Sequence, residues 1–251
     1  MGNKSTREKV EGKEKKLSLT IFMPAFNEEK NIKLQVENIL KYLSSKDFLS
    51  EFQIVVVNDG SSDNTRKVVE KNFKDNKHVK IYDNDNEVIH SYGSALRKGF
   101  SVSTNLEWVF FTDSDNQFVV EDLDKFFDII AKKKGIDYII GYRAPRHDPF
   151  IRLLNAKVYN LMVQLLIGVH VRDIDCAFKL FKSDVIKSIN IVSNSALINT
   201  EILYKLKLKG YKYVEVPVTH KRRVFGKATG AKLSVILKAI MDLFKLKFGQ
   251  I

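Results

Sequence analysis

Runs of apolar, β-branched residues alternate along the first half of the chain with stretches whose apolar positions recur every three or four residues. "LSLTIFM" reads as a buried strand ending near Met23, followed by a turn at Pro24 and a helix from just after Asn27 to about Leu43. "QIVVV" is a second strand, stopped by the turn-forming cluster "NDGSSDN" and followed by an amphipathic helix from about Thr65 to Phe73. "VKIYDND" predicts a third strand and "GSALRKGFSVS" the helix after it; "WVFFT" predicts a fourth strand, with "EDLDKFFDIIAKKK" as its helix. Strands alternating with helices predict an α/β fold built on a doubly wound, mostly parallel sheet with both faces covered.

In such sheets ligands bind outside the carboxyl ends of the strands. The polar clusters of this chain fall at those ends: Asn27 and Glu28 after the first strand, Asp59 and Ser61 after the second, and Asp113, Asp115 and Gln117 after the fourth. The last three are spaced by two, so on an extended backbone they share a face, and two carboxylates there repel unless a cation sits between them. A polar turn capping the next helix is the alternative. Two carboxylates and an amide with no His or Cys nearby suit a hard cation, Mg²⁺ or Mn²⁺, which shares its shell with substrate phosphates. Asp59 is placed to accept from the ring N–H groups of a base, although "NDGSSDN" would make a good turn in any protein. No "GxGxxG" or "GxxxxGK" follows the first strand, so a nucleotide here would be held by carboxylates and metal.

At 251 residues, 44% apolar and 29% charged, the chain is long enough for one large domain. Its single cysteine, Cys176, excludes an internal disulfide. The net charge of +12 invites a nucleic-acid reading, but residues 1–16 hold +3 of it and residues 219–251 hold +7. A middle near neutrality, with no zinc-finger, helix-turn-helix or RNA-binding signature, argues against a non-catalytic nucleic-acid-binding module. Basic ends beside apolar residues suit an anionic membrane surface. Residues 1–16 lack an apolar period and read as a disordered basic tail without a secretory signal; "MGNKST" also matches an N-myristoylation pattern. The longest mostly apolar segment, Tyr159 to Val171, is too short to cross a bilayer.

"IFMPAFNEEKNI", "VVVNDGSSDNT", "YGSALRKGF", "FFTDSDNQF", "GYRAPR", "RDIDCAFKLF" and "VEVPVTHKRRVFGKATG" occur in the order seen in family 2 glycosyltransferases. Over about residues 17 to 248 the chain resembles that family, and within it the branch that makes dolichyl- or polyprenyl-phosphate sugars. The polar and apolar spacing of residues 231–251 predicts a C-terminal amphipathic helix; the resemblance implies a Rossmann-like GT-A domain over residues 17–230 and a nucleotide sugar (of the GDP-mannose or UDP-glucose type) as donor. It assigns Pro24, Phe26, Glu28 and Asp59 to the nucleotide, and Asp113, Ser114 and Asp115 to the ribose and diphosphate, with Asp115 and Gln117 as ligands of Mg²⁺ or Mn²⁺. Arg143 and Arg223 would face anionic groups of the donor or the acceptor phosphate; Arg222 reads as a surface residue. Two departures touch the lipid-phosphate pocket: the family's lysine falls on Thr229, with Lys227 the nearest replacement, and a serine often found before the membrane-facing helix is Asn155.

A lipid phosphate is ionised near neutral pH and attacks without a general base, whereas a hydroxyl acceptor needs one, for which Asp173 and Asp175 are the candidates. The resemblance, with the metal-ligand triplet and the basic end, implies inverting transfer of a hexose to a polyprenyl or dolichyl phosphate, with a family 2 enzyme using a hydroxyl acceptor as the alternative. From Ala231 to Phe248 a narrow polar stripe, Ser234, Lys238, Asp242 and Lys245, leaves a wide apolar face that would pack on the domain or lie in a headgroup layer, Leu243 and Phe244 among the acyl chains. Pro149 to Leu166 would be its partner, and the enzyme would sit peripherally on the cytosolic face of a membrane.

Overall fold

The computed structural model describes residues 16–84, 91–146, 150–225 and 241–248. Its first half alternates as the periodicity predicts: β1 (Leu17–Ala25), α1 (Ile32–Ser44), β2 (Leu49–Asn58), α2 (Thr65–Phe73), β3 (Val79–Asp83), α3 (Tyr92–Ser103), β4 (Trp108–Thr112) and, after a 3₁₀ turn at Val120–Asp122, α4 (Leu123–Lys132). The second half adds β5 (Tyr138–Arg143), α5 (Phe150–Ile167), β6 (Phe178–Lys182), α6 (Ser183–Lys187), α7 (Ile198–Leu208) and β7 (Tyr213–Val218). The seven strands form one sheet in the order β3-β2-β1-β4-β6-β5-β7. Neighbours run parallel except at β6, which is antiparallel to both β4 and β5. The order reverses between β1 and β4, where a doubly wound sheet opens its ligand crevice.

Alternation along β4 explains how both faces are covered. Phe110 and Phe111 point to opposite sides of the sheet. On one side Phe111 meets Phe22, Phe181 and Phe100 of α3, with centroids 5.8, 6.5 and 5.9 Å away. On the other, Phe110 meets Phe178 at 4.6 Å and Phe126 of α4 at 6.4 Å. All these rings are buried, and each contributes roughly 1.5–3 kcal/mol through removal from water. α3 lies close on β1: a Cβ at Gly99 would come within 2.2 Å of the Phe22 ring.

The expected boundaries shift in two places. β1 runs through Pro24 to Ala25 rather than turning at Pro24. Its pairing with β4 ends at Phe22, so the missing Pro24 N–H leaves no ladder bond unmade on that side. α1 begins at Ile32, not just after Asn27, because Asn27 adopts φ +57° and residues 28–31 form a turn instead.

At the C-terminus residues 241–247 are helical, with Leu243 and Leu246 buried and Met241, Phe244 and Phe248 exposed. Leu243 is therefore a core residue; only Phe244 of the expected membrane-facing pair is on the surface. Residues 1–15, 226–240 and Pro149 lie outside the described residues, and with them Lys227, Thr229, the myristoylation pattern and most of the expected C-terminal helix. Among the described residues no helix is long and apolar enough to cross a membrane.

Candidate active site

The loops after β1 and β2 are bound to each other. Asn27 N–H donates to Ser61 Oγ (3.0 Å), its side-chain oxygen accepts from Ser62 N–H (2.8 Å), and Glu28 N–H donates to Thr65 Oγ1 (2.8 Å). Glu29 N–H donates to Asp63, and Asn64 N–H returns a bond to Glu29, each at 3.1 Å. The "NDGSSDN" cluster thus forms a turn, as its composition predicts, and that turn fixes the other loop of the crevice. Asp59 is buried beneath it, and its Oδ1 accepts from Asn84 Nδ2 at 2.8 Å. The same amide nitrogen donates to Ser94 Oγ at 2.9 Å. Phe26, by contrast, is 53% exposed at the rim.

The β4 triplet meets this floor from the other side. Ser114 Oγ donates to Pro24 O (2.8 Å), Gln35 Nε2 to Asp113 O (3.3 Å), and Asn116, held at φ +59°, donates its amide to Asn31 O (2.9 Å). Asp115 is buried; one carboxylate oxygen accepts from Gln117 N–H (3.1 Å) and the other from the Arg223 guanidinium (3.2 Å). Arg223 also donates to Glu28, which takes a second bond from Asn31 at 2.5 Å. Burial, opposed by Asn31 and Arg223, leaves the Glu28 carboxyl above its usual range. Asp113 is pushed up to about 7 by burial and by the charge of Asp115, against the pull of Arg143, Lys179 and Arg223.

The donor set fits a hard divalent cation. A cationic group, Arg223, already lies between Glu28 and Asp115, so the site has use for positive charge there. Gln117 Nε2 is tied to Lys221 O at 2.8 Å, which makes its carbonyl oxygen the atom able to ligate. Among the described residues no three His, Cys, Asp or Glu side chains form a metal-holding group, so a cation would complete its shell with the side-chain oxygens of Asp115 and Gln117, water and substrate phosphate.

Arg143 is not at the surface. Its side chain is buried and grips Asp173 through two bonds of 2.7 Å, while Arg146 stands 3.6 Å from the same carboxylate. Burial alone would raise Asp173, but these arginines more than offset it and hold its carboxyl below the usual range. Such a carboxylate is a poor proton acceptor, so of the two base candidates Asp175 is better placed. Asp175 keeps part of its surface exposed, but desolvation by the protein packed around it raises its pKa, despite the opposing charge of Lys179. Arg172 is instead stacked over Tyr142 at 4.6 Å.

Sequence reasoning missed the residues under this crevice. Lys179 is buried in β6, and its ammonium donates to Ile174 O (2.9 Å), Cys176 O (2.5 Å) and Asn199 Oδ1 (3.1 Å), fixing the 173–176 loop. A lysine at an inward position of "CAFKLF" was the only available signal.

The model of the family described as "Glycosyl transferase family 2" matches residues 20–189. The chain belongs to that family. As a family 2 glycosyltransferase it is 30% identical over 243 residues to a dolichyl-phosphate beta-glucosyltransferase of Trichomonas vaginalis, covering 91% of this chain and 72% of that protein. It is 26% identical to an undecaprenyl-phosphate 4-deoxy-4-formamido-L-arabinose transferase of Proteus mirabilis, over 89% and 66% of the two chains. Glucosyl-3-phosphoglycerate synthase from Mycobacterium tuberculosis, crystallised with Mn²⁺, UDP-glucose and glycerol 3-phosphate, superposes with a TM-score of 0.67 at 16% identity, over 93% of this chain and 80% of that one. That likeness establishes the GT-A-like α/β fold of this family 2 glycosyltransferase.

Proposed function

We propose that the chain transfers a hexose, with inversion, from a nucleoside diphosphate hexose to a polyprenyl or dolichyl phosphate. The observation that carries this reading is the convergence of Glu28, Asp59, Asp113 and Asp115 on one crevice at the strand ends, in a chain whose relatives are named for lipid-phosphate acceptors. Asp59 reads the base. Asp113, Ser114 and Asp115 face the ribose and diphosphate, and Asp115 with Gln117 would hold Mg²⁺ or Mn²⁺. When bound, that cation neutralises the diphosphate leaving group. Arg223 moves from the two carboxylates to the incoming phosphates and so helps hold two anions together. Arg143 acts through Asp173, keeping the acceptor-side loop in place.

The acceptor phosphate arrives from a membrane. α5 exposes Leu154, Val158, Leu161 and Leu165 in a single stripe, and Met241, Phe244 and Phe248 are exposed on the C-terminal segment. They would rest on the cytosolic face of an anionic bilayer.

Radiolabelled UDP-glucose, Mn²⁺ and polyprenyl phosphate test the reaction: label is expected in a mild-acid-labile lipid, and transfer only to saccharides or small hydroxyl acceptors would overturn the reading. The second reading, a hydroxyl acceptor, is favoured by Asp175, an exposed carboxylate of raised pKa suited to a general base.

A further inference from the structure

The amide of Asn84 is held in a fixed orientation against Asp59, the carboxylate assigned to the base. An ionised carboxylate only accepts, so Asn84 must turn its NH₂ group, and not its oxygen, towards Asp59 Oδ1, 2.8 Å away. The second proton of that NH₂ group goes to Ser94 Oγ at 2.9 Å. Ser94 can only accept it: its own proton is given to Ser91 O (2.9 Å), and its other lone pair takes Ser91 N–H (3.0 Å). The Ser94 hydroxyl is then fully used, and reversing the Asn84 amide would set oxygen against oxygen at Asp59.

Asp59, Asn84 and Ser94 are all buried, and they come from three elements: the ends of β2 and β3 and the first turn of α3. None of these has slack. Asn84 N–H donates to Asn58 O at 3.0 Å and Asn58 Nδ2 to Asp83 Oδ1 at 2.8 Å, so the pairing of β2 with β3 continues past Asp83. Ser91 caps α3 in a reciprocal capping box with Ser94 and donates its hydroxyl to Asn194 O. At Gly93 a Cβ would lie 2.4 Å from the Asn194 carbonyl carbon and 2.6 Å from Ser195 O, so helix and loop are wedged together. The buried Glu201 carboxylate holds that loop by accepting from Val192 N–H (2.9 Å) and Ser193 N–H (2.8 Å), and Ser195 Oγ donates to Asp242 at 3.1 Å. Asp59 is therefore braced from the strand side by Asn84 and from the helix side, through Asn84, by Ser94.

We propose that Asn84 is a positioning residue for base recognition, its amide fixing the Asp59 carboxylate against the donor's base, with Ser94 as the stop that keeps the amide from turning. This rests on the crevice being a nucleotide-sugar site in which Asp59 reads the base. The terminal torsion of an aspartate is soft, so an unbraced carboxylate could swing to suit more than one pattern of ring N–H groups. An acceptor locked by buried partners rejects a wrong base, because it cannot follow that base without breaking the bonds behind it.

The test titrates UDP, GDP and pyrophosphate, each with Mn²⁺, into wild type, Asn84→Ala, Asn84→Asp, Asp59→Ala and the two double variants, all checked for folding by thermal melting. Asn84→Ala is expected to weaken the nucleotide that the wild type prefers by about tenfold, the loss of one hydrogen bond. It should also narrow the preference between UDP and GDP and leave pyrophosphate affinity unchanged. Asn84→Asp keeps the shape but sets a second carboxylate beside Asp59, and should weaken the preferred nucleotide at least as much. In the Asp59→Ala background neither Asn84 substitution should change nucleotide affinity further, since Asn84 acts only through that carboxylate. If Asn84→Ala fails to fold, the isosteric Asn84→Asp carries the same comparison. A folded Asn84 variant that keeps the wild-type preference, weakens pyrophosphate as much as nucleotide, or costs the same affinity with and without Asp59 would overturn the role. A wild type that binds UDP and GDP equally overturns Asp59 as the reader of the base and this inference with it, whereas one that binds neither overturns the nucleotide-sugar reading itself.

Discussion

Arg223 answers for two carboxylates at once, Glu28 and Asp115, and the substitutions around it should separate charge from shape. Asp115→Ala removes the anion that a divalent cation and the guanidinium both need, and activity is expected to fall about 100- to 1,000-fold with the melting temperature little changed. Gln117→Ala, which loses an amide and no charge, should cost about tenfold. Full activity in excess chelator would refute both expectations. Arg143 and Asp173 behave differently because they are buried together. Asp173→Asn leaves a guanidinium uncompensated and should cost about 3–5 kcal/mol of stability near neutral pH, read by urea denaturation. The sign of its pH dependence follows from the lowered carboxyl: the ion pair stabilises fully above the ordinary value of 3.8 and is lost as the pH falls through the still lower value in the folded protein. The gap between wild type and Asp173→Asn should therefore close only below about pH 4. A gap that closed between pH 5 and 7 would show that another group is titrating. Asp113, Asp115 and Gln117 stand out in the sequence, but not on the extended backbone that their spacing suggests: β4 ends at Thr112 and Asn116 takes φ +59°, so the triplet lies in a bend. The partner of Arg143 lies thirty positions away in the loop before β6, and no local pattern encodes it.

Elements were legible where one signal dominated. β1, β2 and β4 are runs of inward-facing residues bounded by turn formers, and α2 and α3 stand within a residue of where periodicity placed them. β6 carries no mark of its antiparallel direction, because strand sense is decided by the connection and not by composition. α1 lost its expected first turn to bonds with the β2 loop, a tertiary demand that outweighs helix propensity. The contact of α3 with β1 gives the sharpest test at this scale. Gly99→Ala puts a methyl where the Phe22 ring stands, and should destabilise by about 1–3 kcal/mol in denaturant unfolding. Pairing it with Phe22→Leu, which opens space, should recover part of the loss. If Gly99→Ala is neutral alone, the helix is not held as tightly as its 2.2 Å clearance requires.

For the molecule as a whole, the proposed membrane contact rests on the concentration of charge at the two ends and the apolar stripe on α5. Vesicles containing anionic lipid should bind the protein, and salt should weaken the binding. Leu161→Ser with Leu165→Ser should reduce it on the order of tenfold while UDP binding survives, since both side chains are exposed and Leu165 is 74% so. Leu243→Ser should instead lower the melting temperature, because that side chain is fully buried. Vesicle binding unaffected by the α5 pair would place the membrane contact elsewhere. The sequence alone could not separate Leu243 from Phe244, since a wide apolar face looks alike whether it meets protein or lipid.

The pairing of Arg223 with Glu28 also bears on how the protein is made. The two residues are 195 positions apart, and everything that shapes the nucleotide half of the crevice, through β4, is synthesised before Arg223. On the ribosome that half can dock its strands in order of emergence, yet its clustered carboxylates stay without their arginine until residue 223 leaves the exit tunnel. Assembly of the cleft is thus timed by translation: a nascent chain stalled before residue 223 lacks the guanidinium that joins Glu28 to Asp115.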